Sequence, residues 1–187
     1  MIKQNICQLN NRSLIKVSGT DSKSFLQGLI SNDISLVNSN NMIFSGMFNP
    51  QGKFFCDFFI FQPYNSDDQI FYIDSNLTQT QDIISKFNTY KLRAKIKIED
   101  ISNDYSFYSI IDGNQIISLF ENEKNNLFTN CFIHQDPRLN ELGKKIYVPI
   151  NLNEKFLDYF SNYLCKDLYE MTRVQLGIPE GVNDIIP

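Results

Sequence analysis

Residues Met42 to Phe61 constrain the fold more than any other stretch of the chain. Two apolar runs flank Asn49-Pro50-Gln51-Gly52. Asn at the first position, Pro at the second and Gly at the fourth suit a type I turn, so the stretch predicts a β-hairpin. The second run, Phe54 to Phe61, is apolar on both faces. Phe54, Cys56, Phe58 and Ile60 lie on one side; Phe55, Phe59 and Phe61 lie on the other. A strand covered on both sides belongs in the interior of a sheet.

One acid interrupts that strand. Asp57 has Phe55 and Phe59 as its same-face neighbours. A buried carboxylate either finds a donor or stays protonated. Three readings follow: an edge position, a structural pair with a base such as Arg93, or a carboxylate that faces a pocket and holds a ligand's N–H groups. A pterin ring presents an N–H and amino edge that a carboxylate accepts well.

The rest of the chain mixes strands and helices. Ser13 to Val17 alternates as a strand, and Gly19-Thr20-Asp21 supplies a turn and a helix start. Phe25, Leu26, Leu29 and Ile30 form a helical stripe of about three turns with Gly28 inside it. Pro63 to Asp68 reads as a turn, Gln69 to Asp74 as a strand, Thr78 to Tyr90 as a helix with Ile83, Ile84 and Phe87 inward, and Ala94 to Ile101 as a strand. Ser106 to Asp112, Gln115 to Phe120, Leu127 to Ile133 and Lys144 to Val148 read as further strands, with Glu121 to Asn126 a polar connection. Asn153 can cap a helix carrying Phe156, Leu157, Phe160, Tyr163 and Leu164. Asp167 can cap the next, with Glu170 in capping-box spacing and a stop at Gly177-Ile178-Pro179. No linker divides the chain, so residues 1–187 read as a single α+β domain.

Composition narrows the function. Forty-two per cent hydrophobic residues over 187 positions are enough for a core of ordinary size. A net charge of −4 without a basic block argues against wrapping nucleic acid. Cys7, Cys56, Cys131 and Cys165 lie far apart without a C-x-x-C pair, which predicts reduced, mostly buried thiols. The single histidine, His134, stands beside Asp136-Pro137 and reads as an exposed loop residue, not a metal ligand. No metal site is expected. No presequence is visible in Met1 to Asn10 and no apolar run spans a bilayer, so the expected location is a bacterial-type cytoplasm, with a processed mitochondrial chain as the alternative.

Tyr169 and Arg173, four apart, share a helix face next to the stop at Gly177. Arg173 reads either as an exposed arginine near a helix C-terminus or as a site residue. There is no G-x-S-x-G, no phosphate-binding glycine loop and no histidine dyad.

Five blocks resemble the YgfZ family of folate-binding, iron–sulfur cluster assembly proteins. Gly19-Thr20-Asp21 with Phe25-Leu26-Gln27-Gly28 through Ser31-Asn32-Asp33 is similar to that family's "G-x-D-x-x-x-F-L-Q-G-x-x-T-N-D" opening. Asn49-Pro50-Gln51-Gly52-Lys53 followed by Asp57, and Tyr90-Lys91-Leu92-Arg93-Ala94-Lys95, resemble its "P-Q-G-R/K…D" and "Y-x-L-R-x-K" segments. Asp136-Pro137-Arg138 with Leu142-Gly143, and Tyr169 through Arg173 to Gly177-Ile178-Pro179-Glu180-Gly181, match its later blocks in order. The family shares its fold with the glycine-cleavage T-protein, an aminomethyltransferase.

The resemblance implies an aminomethyltransferase-type folate-binding domain of mixed or antiparallel sheets with flanking helices, binding tetrahydrofolate or another reduced folate. It implies partners among iron–sulfur proteins or their assembly machinery, and effects on tRNA modification only through cluster-dependent enzymes. By motif, Asp57 matches a T-protein carboxylate that faces folate, Arg173 matches a helix arginine, and Phe44 falls where the T-protein has a tyrosine. Phe44, Asp57, Tyr169 and Arg173 are therefore the expected folate-binding residues. Cys56 and Gln175 replace T-protein acids, which argues against aminomethyl transfer. The family's "K-G-C-Y-x-G-Q-E" signature and its C-terminal barrel are absent from these 187 residues, so the chain reads as incomplete at its C-terminus. Two alternatives stay open: a folate-dependent aminomethyltransferase-like enzyme, and an inactive truncated remnant.

Overall fold

A computed structural model describes residues 4–64, 69–112, 114–123 and 127–185. Along the described chain run β1 (Ile6–Gln8), β2 (Arg12–Ser18), α1 (Ser22–Gln27), β3 (Ile43–Phe48), β4 (Phe54–Phe61), β5 (Ile70–Asn76), α2 (Thr80–Lys91) and β6 (Lys97–Asp100). There follow β7 (Tyr105–Ile110), α3 (Asn114–Glu123), β8 (Phe132–Gln135), β9 (Lys144–Pro149), α4 (Asn153–Tyr159), β10 (Leu164–Cys165), α5 (Leu168–Gln175) and α6 (Gly181–Asp184). The chain divides into two units, one of residues 11–102 with 179–187 and one of residues 1–10 with 103–178. No linker marks the division, because each unit borrows a short piece from a chain end. Sequence composition carries no trace of it.

In the 11–102 unit a five-stranded sheet runs in the order β3-β4-β5-β2-β6, every neighbour antiparallel. The expected hairpin is β3–β4, and β4 lies in the sheet's interior. Its Cys56, Phe58 and Ile60 pack with Ile83 and Phe87 of α2 and Leu26 of α1. The rings of Phe58 and Phe25 meet Phe87 edge-on. Helix α1 is shorter than expected, and Gly28 is its C-cap, not an interior residue. Beyond it the backbone turns to β3: Ile30 bridges Met47, and the Ser31 N–H donates to the Gly46 carbonyl at 2.9 Å. Strand bonding there satisfies groups that a longer helix would have used. Part of the expected turn at Pro63 to Asp68 lies outside the described residues.

The 103–178 unit has a second five-stranded sheet, β10-β1-β7-β9-β8, antiparallel except for the parallel pair β1–β10. Its core is aromatic: Phe120, Phe128, Phe156 and Phe160 are fully buried together with Tyr108. Three expectations fail here. Gln115 to Phe120 belongs to helix α3, where Ile116 and Phe120, four apart, are the buried residues; a short apolar run does not distinguish strand from helix. The strand expected from Leu127 begins only at Phe132, since the Cys131 N–H turns back to the Phe128 carbonyl and Phe128 enters the core. Asn153 caps nothing, since its Oδ1 accepts the buried Tyr108 hydroxyl at 2.6 Å, and the helix ends at Tyr159 so that Leu164 belongs to β10.

The capping box on α5 also fails. Asp167 has φ 59 and no side-chain cap, while Glu170 turns to Arg173. The stop at Gly177 does form. Gly177 takes φ 65, its N–H donates to the Val174 carbonyl, and the Ile178 N–H donates to the Arg173 carbonyl, the paired bonds of a Schellman motif. Neither sheet closes into a barrel among the described residues.

Candidate functional site

Register brings the first two expected residues into one neighbourhood. Leu14, Asp74, Phe59 and Phe44 stand directly opposite one another on β2, β5, β4 and β3, a row across the sheet. By alternation this is the face away from the cluster that α1 and α2 cover. The Phe44 and Phe59 ring centroids are 5.1 Å apart. Arg12 and Asp57 stand two residues along from Leu14 and Phe59, hence on the same face.

Arg12 is the hub of this face. Its Nε donates to Asp74 Oδ1 at 2.6 Å, its Nη2 to the Asp74 carbonyl at 3.0 Å, and its Nη1 to Glu180 Oε1 at 3.0 Å. The guanidinium also lies 5.5 Å from the centroid of Phe59. The three charged side chains are each under a tenth exposed. Removing Arg12 would leave two buried carboxylates without this cation.

Asp57 is 8% exposed, so the edge reading is set aside. Arg93 is exposed after α2, and Asp57 Oδ2 accepts the Gly181 N–H at 2.9 Å. Gly181 can approach because it has no side chain: a Cβ there would sit 2.5 Å from Phe54 Cζ and 2.8 Å from Asp57 Oδ2. The neighbouring Cys56 thiol is pushed far up by burial and by the Asp57 charge, so it stays neutral.

Tyr169 and Arg173 belong to the other unit. Arg138 clamps Asp136 with Nε at 3.0 Å and Nη2 at 2.8 Å, and the same Nη2 donates to the Tyr169 hydroxyl at 2.7 Å. Burial by itself would favour neutral Arg138, but Asp136 and Tyr169 outweigh it and raise its pKa. Lys145 Nζ lies 5.5 Å from the Tyr169 ring centroid. Arg173 is not the exposed helix-end arginine of the simpler reading. It is 3% exposed, its Nη1 donates to the Ile178 carbonyl at 2.6 Å, and its Nε donates to Glu170 at 3.0 Å. It ties the α5 terminus together. His134 is also corrected: it lies in β8, 2% exposed, opposite Lys145.

A cavity of about 390 Å³ in the 103–178 unit is lined by Ile110, Asp112, Ile117, Gln135, Asn140 and Lys144 among others, and by none of the four expected residues. Among the described residues no cluster of three or more His, Cys, Asp or Glu could hold a metal ion, and no helix is long and apolar enough to cross a membrane. Sequence reasoning missed Arg12, Asp74 and Glu180. Their partners lie 62 and 168 positions apart, so no local pattern joins them. The one available sign was an arginine at the start of a strand that carries Leu14, Ile15 and Val17.

No family model matches the chain. It is similar to the iron–sulfur cluster assembly factor IBA57 homolog, mitochondrial, of Dictyostelium discoideum, at 29% identity over 98% of this chain and 51% of that protein. It is similar to the protein of the same name from Mycosarcoma maydis, at 30% identity over 96% of this chain and 44% of that protein. The chain thus spans about half the length of the curated relatives it matches. Among solved structures it resembles the glycine cleavage system aminomethyltransferase T of Bartonella henselae, with a TM-score of 0.73 over 95% of this chain and 53% of that one, at 16% identity. That likeness establishes the fold: α+β, of the aminomethyltransferase type. Both likenesses agree with the superfamily drawn from the motifs.

Proposed function

We propose that this chain is the folate-binding part of an iron–sulfur cluster assembly factor of the YgfZ type. The observation that carries the reading is the extent of the likeness: relatives named as assembly factors align with 98% and 96% of the chain. Its partners are iron–sulfur proteins or their assembly machinery, and tRNA modification responds only through cluster-dependent enzymes. The relatives' names favour the mitochondrial matrix over a cytoplasm.

The ligand in this reading is tetrahydrofolate or another reduced folate, supported by the aminomethyltransferase-type fold and by Asp57. A carboxylate accepts the N–H and amino edge of a pterin well, and Asp57 holds the Gly181 N–H through Oδ2 beside it. Phe44, already against Phe59, offers a ring face. Tyr169 and Arg173 are candidate contacts through the motif resemblance alone; within their own unit Arg138 orients Tyr169, and Glu170 and Ile178 hold Arg173. Aminomethyl transfer finds less support, because the neutral thiol of Cys56 replaces a carboxylate.

Disrupting the gene in its own organism tests the role. Iron–sulfur enzyme activities are expected to fall, with cluster-dependent tRNA modifications following, while enzymes without clusters keep their rates. Unchanged iron–sulfur enzymes would overturn the proposal.

A further inference from the structure

The four cysteines are remote in sequence, yet two of them meet. Strands β1 and β10 pair in parallel with Cys7 opposite Cys165, and their Sγ atoms lie 2.8 Å apart. Directly opposed residues on adjacent strands point to one face. Neighbouring strands run about 4.7–4.9 Å apart, inside the roughly 4.4–6.8 Å Cα separation that a disulfide spans. No backbone rearrangement is needed to join these two thiols. Cys7 is 2% exposed, whereas Cys165 is only partly covered and accessible to a small reagent. Cys56 and Cys131 are fully buried.

We propose that Cys7 and Cys165 form an oxidisable dithiol, closed to an intramolecular disulfide by a low-molecular-weight disulfide such as glutathione disulfide. The Cys165 thiolate attacks one sulfur of glutathione disulfide; that S–S bond breaks and one glutathione thiolate leaves. The Cys7 thiolate then attacks the Cys165 sulfur, the Sγ–Sγ bond forms, and the second glutathione leaves. The protons of the two protein thiols end on the two departing glutathiones. Two electrons pass from the protein sulfurs to the reagent, so one glutathione disulfide yields one protein disulfide and two glutathiones.

Closure has a structural consequence. β10 has only two residues and pairs with β1 alone, and three residues after Cys165 the chain enters α5, which carries Tyr169 and Arg173. The bond fastens the approach to that helix to the N-terminal strand. Burial, then the contact with Cys7, pushes the Cys165 thiol up to about 12, so exchange is slow near neutrality and quickens as pH rises.

The test uses the whole chain, reduced, desalted and held at a series of ratios of glutathione to glutathione disulfide. Thiols are then blocked and the protein mapped without reduction. The expected product is one cross-linked peptide pair containing Cys7 and Cys165, two hydrogens lighter than the reduced pair, with Cys56 and Cys131 still free. The oxidised chain should melt about 5 °C higher or more, because the bond closes a long loop. Cys165→Ser should lose both the cross-link and the oxidant-dependent rise in melting temperature. Stable glutathionylation at Cys165 with Cys7 free would overturn the proposal. So would a link through Cys56 or Cys131, or four free thiols in glutathione disulfide alone.

Discussion

The two units solve the same packing problem with different chemistry. Each covers one face of a five-stranded sheet with an apolar cluster. In the 103–178 unit that cluster is a nest of rings: Phe120, Phe128, Phe156 and Phe160 lie within 4.9–6.4 Å of one another, centroid to centroid. In the 11–102 unit the cluster is mainly aliphatic, and the opposite face holds the buried charges Arg12, Asp74, Glu180 and Asp57. The contrast shows where tolerance lies. A ring nest loses stability in proportion to the volume removed, whereas this charge network depends on the one cation, Arg12, that both Asp74 and Glu180 share.

The largest effect is expected in the ring nest. Phe128→Ala removes a fully buried ring in contact with Phe120, Phe156, Phe160 and Tyr159, and should cost about 3–5 kcal/mol, read from the urea midpoint. A loss under about 1 kcal/mol would mean that the nest is not close-packed. Next comes the charge network. Arg12→Met keeps an apolar stem against Phe59 but strands Asp74 and Glu180, at a cost of about 3 kcal/mol. If Arg12→Met were neutral, the two units would not differ in the way described, and both faces would be held by apolar packing alone.

Much of the 11–102 unit was legible in the sequence because its contacts are local. The β3–β4 hairpin follows from Asn49-Pro50-Gln51-Gly52, and the interior place of β4 follows from its two apolar faces. In the 103–178 unit the sheet joins residues 6–8 to residues 164–165, and no window of sequence spans that pairing. The same distance hid the Cys7–Cys165 contact and the Arg12–Glu180 ion pair. Gln115 to Phe120 was misread for a different reason: six residues are too few for period two and period 3.6 to separate. Asp57 was legible as a buried acid because it interrupts phenylalanines, but its Gly181 donor, 124 positions away, was not. Tyr169 and Arg173 were legible as one helix face, while Arg138 and Asp136, which position Tyr169, stood in a motif without an assigned role.

The most direct measurement is a calorimetric titration of the whole chain with tetrahydrofolate, set beside Asp57→Asn. The asparagine keeps an oxygen for the Gly181 N–H, but loses the charge and turns the other acceptor oxygen into an NH2 donor. Loss of one charge-assisted contact to the pterin is worth about 1.5–3 kcal/mol, so binding should weaken about ten- to hundredfold with the fold intact. Equal affinity in the two proteins, or no binding to the unaltered chain, would contradict a folate held by this carboxylate.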